Sequence, residues 1–321
     1  MNRYANKKVV VTGAGGFIGR FLTEKLVDSG AKVTALIWHK AKESNNLTGD
    51  LPREKLGQVG IRYGDLKEYR ALLEIIEGAD VVFHLAASNS VPDSLAHPKE
   101  VIENNVTGTL NLLSAARECG SERVVITSTA GVYGPASGLP IAENHPTFPG
   151  SPYAASKLAA EEIALGFYHS YALPVVILRP FNTFGPGQSQ GAVIPGIIQQ
   201  ALSGREIKLG RIDSTRDFNY VLNTVSGFTA AGAIKKIEGE IFNIASGSEH
   251  SLREVIGSIE NILNKKLKIV SEDKRKRPGK SDAGRLRASI EKAQNLLHYK
   301  PEVTFFEGLK YTVDYYARRL K

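Results

Sequence analysis

The chain has 321 residues, of which 42% are hydrophobic and 23% charged, a composition typical of a globular protein with about two domains' worth of chain. Its apolar runs are too short to span a bilayer, and its first residues enter a strand pattern instead of a signal-peptide core, so we expect a soluble, cytoplasmic protein. The single cysteine, Cys119, excludes an intrachain disulfide. The net charge of +8 suits phosphate-bearing ligands, and without nucleic-acid or metal-binding motifs we predict no nucleic acid, membrane or metal partner.

The first pattern in the chain is a strand, a glycine-rich turn and a helix. Residues 8–12 are rich in β-branched side chains, residues 13–19 read Gly-Ala-Gly-Gly-Phe-Ile-Gly, and an amphipathic pattern then runs to Asp28. Glycines in such a turn allow a tight bend, close approach of a pyrophosphate to backbone amides and tight packing of helix on strand. The G-x-x-G-x-x-G spacing differs from the simplest fingerprint, but its context predicts a dinucleotide site. Its members here are Gly13, Gly16, Phe17, Ile18 and Gly19.

The end of the second predicted strand, 32–37, bears on the choice between NAD and NADP. An acidic residue there would bind the adenosine ribose of NAD, but the chain has Ile37. The cationic His39 and Lys40 follow and either accept a 2'-phosphate or belong to a solvated loop. The pattern favours NADP slightly. Residues 41–58 have no sustained periodicity and are interpreted as a loop with a short helix.

Further strands add residues to the predicted cofactor site. Asp65 follows the strand 60–63 and is placed to meet the adenine amino group or to cap the next helix. The apolar strand 80–87 contains His84, which we interpret as structural, and ends in small residues that let a cofactor lie close. Asn105 lies in a helix predicted over 98–119, where it is placed to brace the active-site strands. The residues added at the second of these strand ends are Leu85, Ala86 and Ala87.

Three residues form the predicted catalytic set. Thr129 follows the strand 121–128 at its carboxyl end, where ligands gather in parallel sheets. Tyr153 and Lys157 lie four residues apart on a predicted helix, so they share one face and the ammonium is expected to lower the pKa of the phenol. Tyrosine then serves as an acid or base, and the Thr129 hydroxyl hydrogen-bonds the same substrate oxygen.

These motifs together resemble the extended short-chain dehydrogenases/reductases of the nucleotide-sugar epimerase/dehydratase family. The resemblance spans nearly the whole chain. The chain is similar to UDP-glucose 4-epimerases and, especially across 190–221, to UDP-N-acetylglucosamine 4,6-dehydratases of the legionaminic-acid pathway type. It implies an NAD(P)-dependent enzyme acting on a nucleotide-diphosphate sugar. The motifs that carry it are Gly13–Gly19, Asp65-Leu66, His84–Ala87, Asn105-Val106, Ser128-Thr129, Tyr153-x-x-x-Lys157, Leu178–Gly187, Thr215–Val221 and Arg277-Pro278-Gly279.

The resemblance also implies the remaining ligand contacts. It adds Leu66, Thr127, Pro180 and the catalytic Tyr153 and Lys157 to the cofactor site. Arginine grips phosphate through two parallel hydrogen bonds, so Arg216 and Arg277 are expected to hold the diphosphate. The substrate-binding residues implied are Ser88, Ser128, Thr129, Asn182, Arg216 and Arg277.

One departure from the family pattern decides between reactions. Sugar 4,6-dehydratases of this group have an acidic residue directly after the active-site threonine, whereas this chain has Ala130 and Gly131, which cannot transfer a proton. Elimination is therefore disfavoured, and hydride transfer at carbon 4 remains. We predict a 4-epimerase first, a 4-ketoreductase using NADPH second, a 4,6-dehydratase third and a non-catalytic cofactor-binding protein last.

The expected architecture is an α/β, Rossmann-type doubly wound parallel sheet with a smaller C-terminal substrate lobe. The Rossmann domain is predicted to comprise 1–180 and roughly 215–245. The nucleotide-sugar-binding lobe is predicted to comprise roughly 181–214 and 246–321. By resemblance, we expect a homodimer through the helices 98–119 and 152–171.

Overall fold

A seven-stranded parallel sheet forms the centre of the computed structural model, which describes residues 3–41, 45–210, 212, 214–271 and 284–319. The sheet order is β11-β6-β5-β4-β1-β2-β3, and the strand sequence reverses direction between β1 and β4. This is the predicted doubly wound arrangement. The strands are β1 (Lys8–Thr12), β2 (Lys32–Trp38), β3 (Val59–Gly64), β4 (Val81–His84), β5 (Arg123–Thr127), β6 (Val175–Pro180), β7 (Asn182–Phe184), β8 (Glu206–Leu209), β9 (Thr215–Arg216), β10 (Phe218–Tyr220), β11 (Ile241–Ile244), β12 (His250–Ser251) and β13 (Lys268–Ser271).

Helices cover both faces of the sheet and, together with short strands, make up the second half of the chain. Within the described ranges, none of them is long and apolar enough to cross a membrane. The helices are α1 (Phe17–Asp28), α2 (Asn46–Asp50), α3 (Arg53–Leu56), α4 (Tyr69–Ile76), α5 (Val91–Ala96), α6 (Pro98–Ile102), α7 (Gly108–Glu118), α8 (Pro152–Tyr171), α9 (Val193–Ser203), α10 (Val221–Ala233), α11 (Leu252–Leu263), α12 (Glu291–Leu297) and α13 (Phe305–Arg319).

Alternating side chains along the central strands feed two separate cores. In β1, Val9 and Val11 pack into the core on one face of the sheet, whereas Val10 packs into the core on the other. Phe83 and Val82 of β4 divide in the same way. Since successive side chains of a strand point to opposite faces, a run of apolar residues is what a sheet covered on both sides requires.

Three small sheets belong to the second half of the chain. Strand β7 pairs with β10 and β8 with β13, both in parallel, while β9 pairs antiparallel with β12. Strand β11 instead pairs with β6 at the edge of the main sheet. The chain thus leaves the main sheet after β6 and returns to it at β11. The division into two lobes remains a prediction.

The helix predicted over 98–119 is interrupted. A single π-helical turn at Glu103–Thr107 separates α6 from α7. The turn places the Asn105 side chain inside the protein, where its amide binds both backbone groups of Ser88. Gly108 follows because a Cβ there would lie 2.8 Å from the side chain of Leu66. Such turns are common next to functional sites.

His84 is fully buried in β4 between two threonines, as expected for a structural residue. Its Nδ1 lies 2.8 Å from the Thr12 hydroxyl and its Nε2 lies 3.0 Å from the Thr109 hydroxyl. Because the Thr109 hydroxyl donates to the Asn105 carbonyl, it accepts from Nε2–H, and Nδ1 accepts from Thr12. Burial, with a smaller contribution from the Lys157 charge, lowers the pKa of His84 to about 3.

We expect this neutral histidine to make the fold sensitive to acid. In the unfolded chain His84 binds a proton near pH 6.5, whereas in the folded chain it stays neutral down to a much lower pH. The free energy of unfolding should therefore fall by about 2 kcal/mol between pH 7 and pH 5 because of this residue alone. Urea denaturation of wild type and His84→Gln at pH 5, 6 and 7 measures the difference in slope. The exposed His97→Gln is the control. Equal slopes for wild type and His84→Gln would contradict the assignment.

Candidate functional site

A cavity of about 730 Å³ opens where the carboxyl ends of β1, β2, β4, β5 and β6 meet. Parallel strands bring their carboxyl ends to one edge of a sheet, so residues distant in sequence line the same space. The structure brings most of the predicted site residues there. They are Gly13, Gly16, Phe17, Ile18, Gly19, Lys40, Asp65, Leu66, Leu85, Ala86, Ala87, Ser88, Thr127, Ser128, Thr129, Tyr153, Lys157, Pro180 and Asn182.

The glycine turn forms one wall of this cavity. Gly13 has a φ of +71°, and a Cβ on it would lie 2.7 Å from the backbone nitrogen of Ala86. A Cβ on Gly19 would collide with the Gly13 carbonyl, so α1 packs against the turn only without one. The turn closes through a 2.9 Å hydrogen bond from the Gly16 amide to the Gly13 carbonyl. Side chains are therefore excluded where a pyrophosphate would approach the N-terminus of α1.

The cavity suits a dinucleotide at a second point. The Thr127 hydroxyl, at the end of β5, is buried and has no hydrogen-bond partner within the described part of the chain. Leaving a buried hydroxyl unpaired costs free energy, so a bound ligand that reaches it is favoured. Together with the glycine turn, this residue fits a bound cofactor along the carboxyl edge of the sheet.

The residues predicted to select between NAD and NADP lie in different places. Ile37 is buried beneath Gly15, so no carboxylate is present at the end of β2. Lys40 lines the cavity, and its ammonium lies 5.2 Å from the centre of the exposed Trp38 ring. His39 does not line the cavity, and its ring lies beside that of Trp38.

Two other predicted cofactor residues have internal partners. The carboxylate of Asp65 accepts a hydrogen bond from the Lys67 amide in a turn, while α4 begins only at Tyr69, so Asp65 does not cap that helix. Asn105 is buried and does not line the cavity. Its amide also donates to the Ser156 hydroxyl at 2.9 Å, which links the end of β4 to α8. It braces the cavity wall, as its position in the sequence suggested.

Helix α8 presents the predicted catalytic pair to the cavity. The helix begins after Ser151, whose hydroxyl caps the Ala154 amide, and Pro152 occupies its first turn. Tyr153 and Lys157 both line the cavity with Thr129 from the end of β5. Three groups from two elements therefore face one space, the arrangement that acid-base chemistry on a bound alcohol or ketone requires.

Burial dominates the electrostatics of this pair. It raises the pKa of the Tyr153 phenol, and a hydrogen bond with the Thr129 hydroxyl opposes that rise. The expected lowering of the Tyr153 pKa is thus wrong for the chain without its ligands, because the desolvated phenolate is the costlier form. Burial lowers the pKa of the Lys157 ammonium to about 8, opposed by the Glu161 carboxylate.

A smaller cavity of about 240 Å³ adjoins the first and shares Thr129, Tyr153, Pro180, Phe181 and Asn182 with it. Small residues, Ala130, Gly131, Gly134, Gly150 and Ala154, form much of its lining, and Arg216 contributes a cation. Of the residues that the structure describes, no aspartate or glutamate lines it. Arg277, the second arginine expected to hold a diphosphate, lies outside the described residues.

Arg216 lies on a short strand that neighbouring segments hold in place. Its guanidinium donates to the Thr215 carbonyl at 2.8 Å. The next residue, Asp217, is buried and accepts hydrogen bonds from Ser246, Gly247 and Ala288. The pKa of Asp217 is raised to about 6, because the effect of burial exceeds the opposing effect of the hydrogen bonds from Ser246, Ala288 and Gly247. This carboxylate ties the turn after β11 to the strand that carries Arg216.

Sequence reasoning missed several residues of the two cavities. Leu286 and Val91 line the smaller cavity from segments that carry no motif. Ser128, predicted to bind substrate, lines the larger cavity, and its hydroxyl donates to Glu161, which no motif indicated. Only the meeting of β5 with α8 reveals that contact. The spacing of Glu161 from Lys157, four residues along the helix, was the signal available.

Comparison with known proteins relates this geometry to a family. The family described as GDP-mannose 4,6 dehydratase matches residues 10–312. A UDP-N-acetyl-alpha-D-glucosaminuronate decarboxylase from Bacillus cytotoxicus is 33% identical over 325 residues, covering 97% of this chain and 98% of the relative. The UDP-N-acetylglucosamine 4-epimerase from Methanobrevibacter ruminantium M1, solved with UDP-N-acetylmuramic acid, superposes with a TM-score of 0.89 at 31% identity, covering 98% and 99% of the two chains.

A third similar protein was solved with a cofactor. MoeE5, in complex with UDP-glucuronic acid and NAD, has a TM-score of 0.87 at 30% identity, covering 97% of this chain and 99% of that one. Its bound NAD does not support the expected preference for NADP. Since the family match and these relatives cover nearly its whole length, the chain belongs to the NAD-dependent nucleotide-sugar epimerase/dehydratase family of extended short-chain dehydrogenases/reductases.

Proposed function

We propose that the protein is a nucleotide-sugar 4-epimerase. The observation that carries the proposal is the pairing of a Thr129-Tyr153-Lys157 set with an adjoining cavity whose lining has Ala130 and Gly131 and, within the described residues, no carboxylate. Hydride chemistry at a sugar carbinol needs the first three groups. Elimination or carbon protonation at carbon 5 needs a further acid or base.

The residues divide the work of the proposed reaction. The glycine turn and Thr127 would hold a nicotinamide dinucleotide in the larger cavity, where it would supply reversible hydride transfer at carbon 4 to either face of the sugar. Tyr153 would take the proton of the carbon 4 hydroxyl in the first half and give it back in the second. The Thr129 hydroxyl would hydrogen-bond that oxygen, and the Lys157 ammonium would favour the phenolate against the effect of burial.

The substrate's diphosphate is assigned to the smaller cavity and its rim. Arg216 is well suited to a diphosphate because its planar guanidinium makes paired hydrogen bonds. Asn182 lies between the two cavities, where it would contact the sugar or its first phosphate. We therefore assign nucleotide binding to the lobe formed by roughly 181–214 and 246–321, with Arg277 as a second phosphate contact, and the cofactor to the rest of the chain.

A 4-ketoreductase is the second candidate, and two features of the cavity favour it. Ile37 leaves no carboxylate to bind a ribose 2'-hydroxyl, and Lys40 places a positive charge at the cavity. Both features suit a 2'-phosphate. NAD is nevertheless our first choice of cofactor, in place of the slight preference for NADP drawn from the sequence, because MoeE5 binds NAD.

A nucleotide-sugar panel separates these functions. We expect the purified protein to release NAD on denaturation. With no cofactor added, it should interconvert the 4-epimers of a nucleotide-diphosphate sugar, a reaction that NMR of the sugar detects. Reduction of a 4-keto sugar only with NADPH would favour the reductase. A 4-keto-6-deoxy product would contradict the conclusion drawn from Ala130 and Gly131, and absence of turnover with bound cofactor would favour a binding role.

Tyr153→Phe tests the acid-base assignment. The substitution removes only the hydroxyl, so we expect cofactor content to be unchanged while single-turnover hydride transfer falls at least about a hundredfold. Absorbance of the reduced nicotinamide measures the transfer. Tyr311→Phe, at a phenol that is exposed on α13, is the matched control and should leave the rate unchanged. Near-normal transfer in Tyr153→Phe would remove this residue from the mechanism.

Dimerisation through α6–α7 and α8 is a further expectation from the family. Exposed apolar side chains support it, since Ile102 is 47% and Leu110 41% exposed on these helices. We expect light scattering to show a dimer that Ile102→Glu with Leu110→Glu converts to a monomer. Leu296→Glu, at a similarly exposed leucine on α12, should leave the dimer intact. A monomeric wild type would contradict the expectation.

A further inference from the structure

Helix α8 carries a third ionisable residue on the face of its catalytic pair. Glu161 lies four residues after Lys157, which itself lies four residues after Tyr153, so the three side chains share one face. Glu161 is fully buried and Lys157 is 2% exposed. Opposite charges that lie one helical turn apart and are both removed from water stabilise each other, because little solvent screens their attraction.

The Glu161 carboxylate is held by two other elements. Arg179 of β6 donates to it from Nε at 3.0 Å and from Nη2 at 2.6 Å. The Ser128 hydroxyl, at the end of β5, donates to its Oε1. Arg179 is anchored in turn, because its Nη1 donates to the Tyr133 hydroxyl at 2.9 Å and its guanidinium lies over the Tyr133 ring. These contacts hold the Glu161 carboxylate in one position on the face of α8 that carries Tyr153 and Lys157.

The ionisable groups around Lys157 leave Glu161 as its anionic neighbour. On the same helix, Tyr153 is neutral because burial raises the pKa of its phenol. On β4, His84 is neutral because burial lowers its pKa. On β6, the Arg179 guanidinium is cationic and its charge is directed to Glu161. Burial lowers the pKa of the Lys157 ammonium, and the charge of the Glu161 carboxylate raises it.

We propose that Glu161 is a positioning residue that keeps Lys157 in its ammonium form beside Tyr153, and that Arg179 and Ser128 hold Glu161 for this task. The proposal rests on the proposed function, in which the ammonium favours the Tyr153 phenolate. It assigns a functional reason to a buried ion pair that would otherwise serve only the fold. Buried pairs are weak contributors to stability on their own, since desolvation offsets their attraction.

The competing interpretation is that Glu161 only neutralises Arg179. Glu161→Gln removes the charge at nearly constant volume but leaves Arg179 buried and unpaired. Glu161→Gln combined with Arg179→Met removes both charges and replaces the ion pair with an apolar contact. The competing interpretation predicts that Lys157 then titrates as in wild type. Our proposal predicts that Lys157 still loses its proton at a lower pH than in wild type, because the double variant also lacks the Glu161 carboxylate one helical turn from Lys157.

The titration of Lys157 is measured directly by NMR of its Cε resonance in lysine-labelled protein without substrate, assigned by its loss in Lys157→Arg. We expect the titration midpoint to fall by about one pH unit or more in Glu161→Gln and to stay below wild type in the double variant. Single-turnover hydride transfer at pH 8 should slow about fivefold or more in each folded variant, because the ammonium fraction falls from about one half to about one tenth when the midpoint falls by one unit. If Glu161→Gln alone does not fold, the double variant supplies the test.

Arg123 and Glu238 provide a matched control. They form the same type of ion pair at the other end of β5, far from the cavity, and Arg123 is 5% exposed. Glu238→Gln should lower the melting temperature without moving the Lys157 titration. A Lys157 midpoint that stays at the wild-type pH in folded Glu161→Gln or in the double variant would overturn the proposal. Since the NMR measurement uses no substrate, a wrong choice of nucleotide sugar cannot produce that result.

Discussion

The close contact between the glycine turn and the end of β4 is the constraint on which the site depends. Gly13 lies against the Ala86 backbone so tightly that no side chain fits between them, and this contact sets β1 and β4 side by side at the point where strand order reverses. The cavity opens there because α1 and the segment after β4 diverge from adjacent strand ends. Thr127, Thr129 and the face of α8 then border the same space.

Buried polar groups hold this edge of the sheet in shape. His84 joins β1 to α7 through two threonines, and Asn105 joins the segment after β4 to α8. Each donor and acceptor in these contacts is paired, so burial costs little, whereas the unpaired Thr127 hydroxyl marks a place where a ligand is expected. The cavity walls are thus held by paired polar groups, and the Thr127 hydroxyl is left for a bound ligand.

The absence of carboxylates from the described lining of the smaller cavity gives the site its chemical character. Two cationic side chains border the cavities, Lys157 the larger one and Arg216 the smaller one. Relatives of similar overall identity include a decarboxylase and 4-epimerases, so overall similarity does not select the reaction. Our proposal of a 4-epimerase rests instead on the residues after Thr129, because proton transfer at carbon 5 requires a group that Ala130 and Gly131 lack.

Local patterns in the sequence determined the strand, glycine turn and helix order, the doubly wound sheet and the gathering of Thr129, Tyr153 and Lys157, since each follows from periodicity or from the edge at which parallel strands end. The tertiary structure alone decided which polar side chains face inward. The Ser128 hydroxyl is directed to Glu161, the π-helical turn interrupts a helix that periodicity made continuous, and Glu161 pairs with Arg179 of β6. Those outcomes depend on which elements pack together, and a desolvated group finds its partner across that packing.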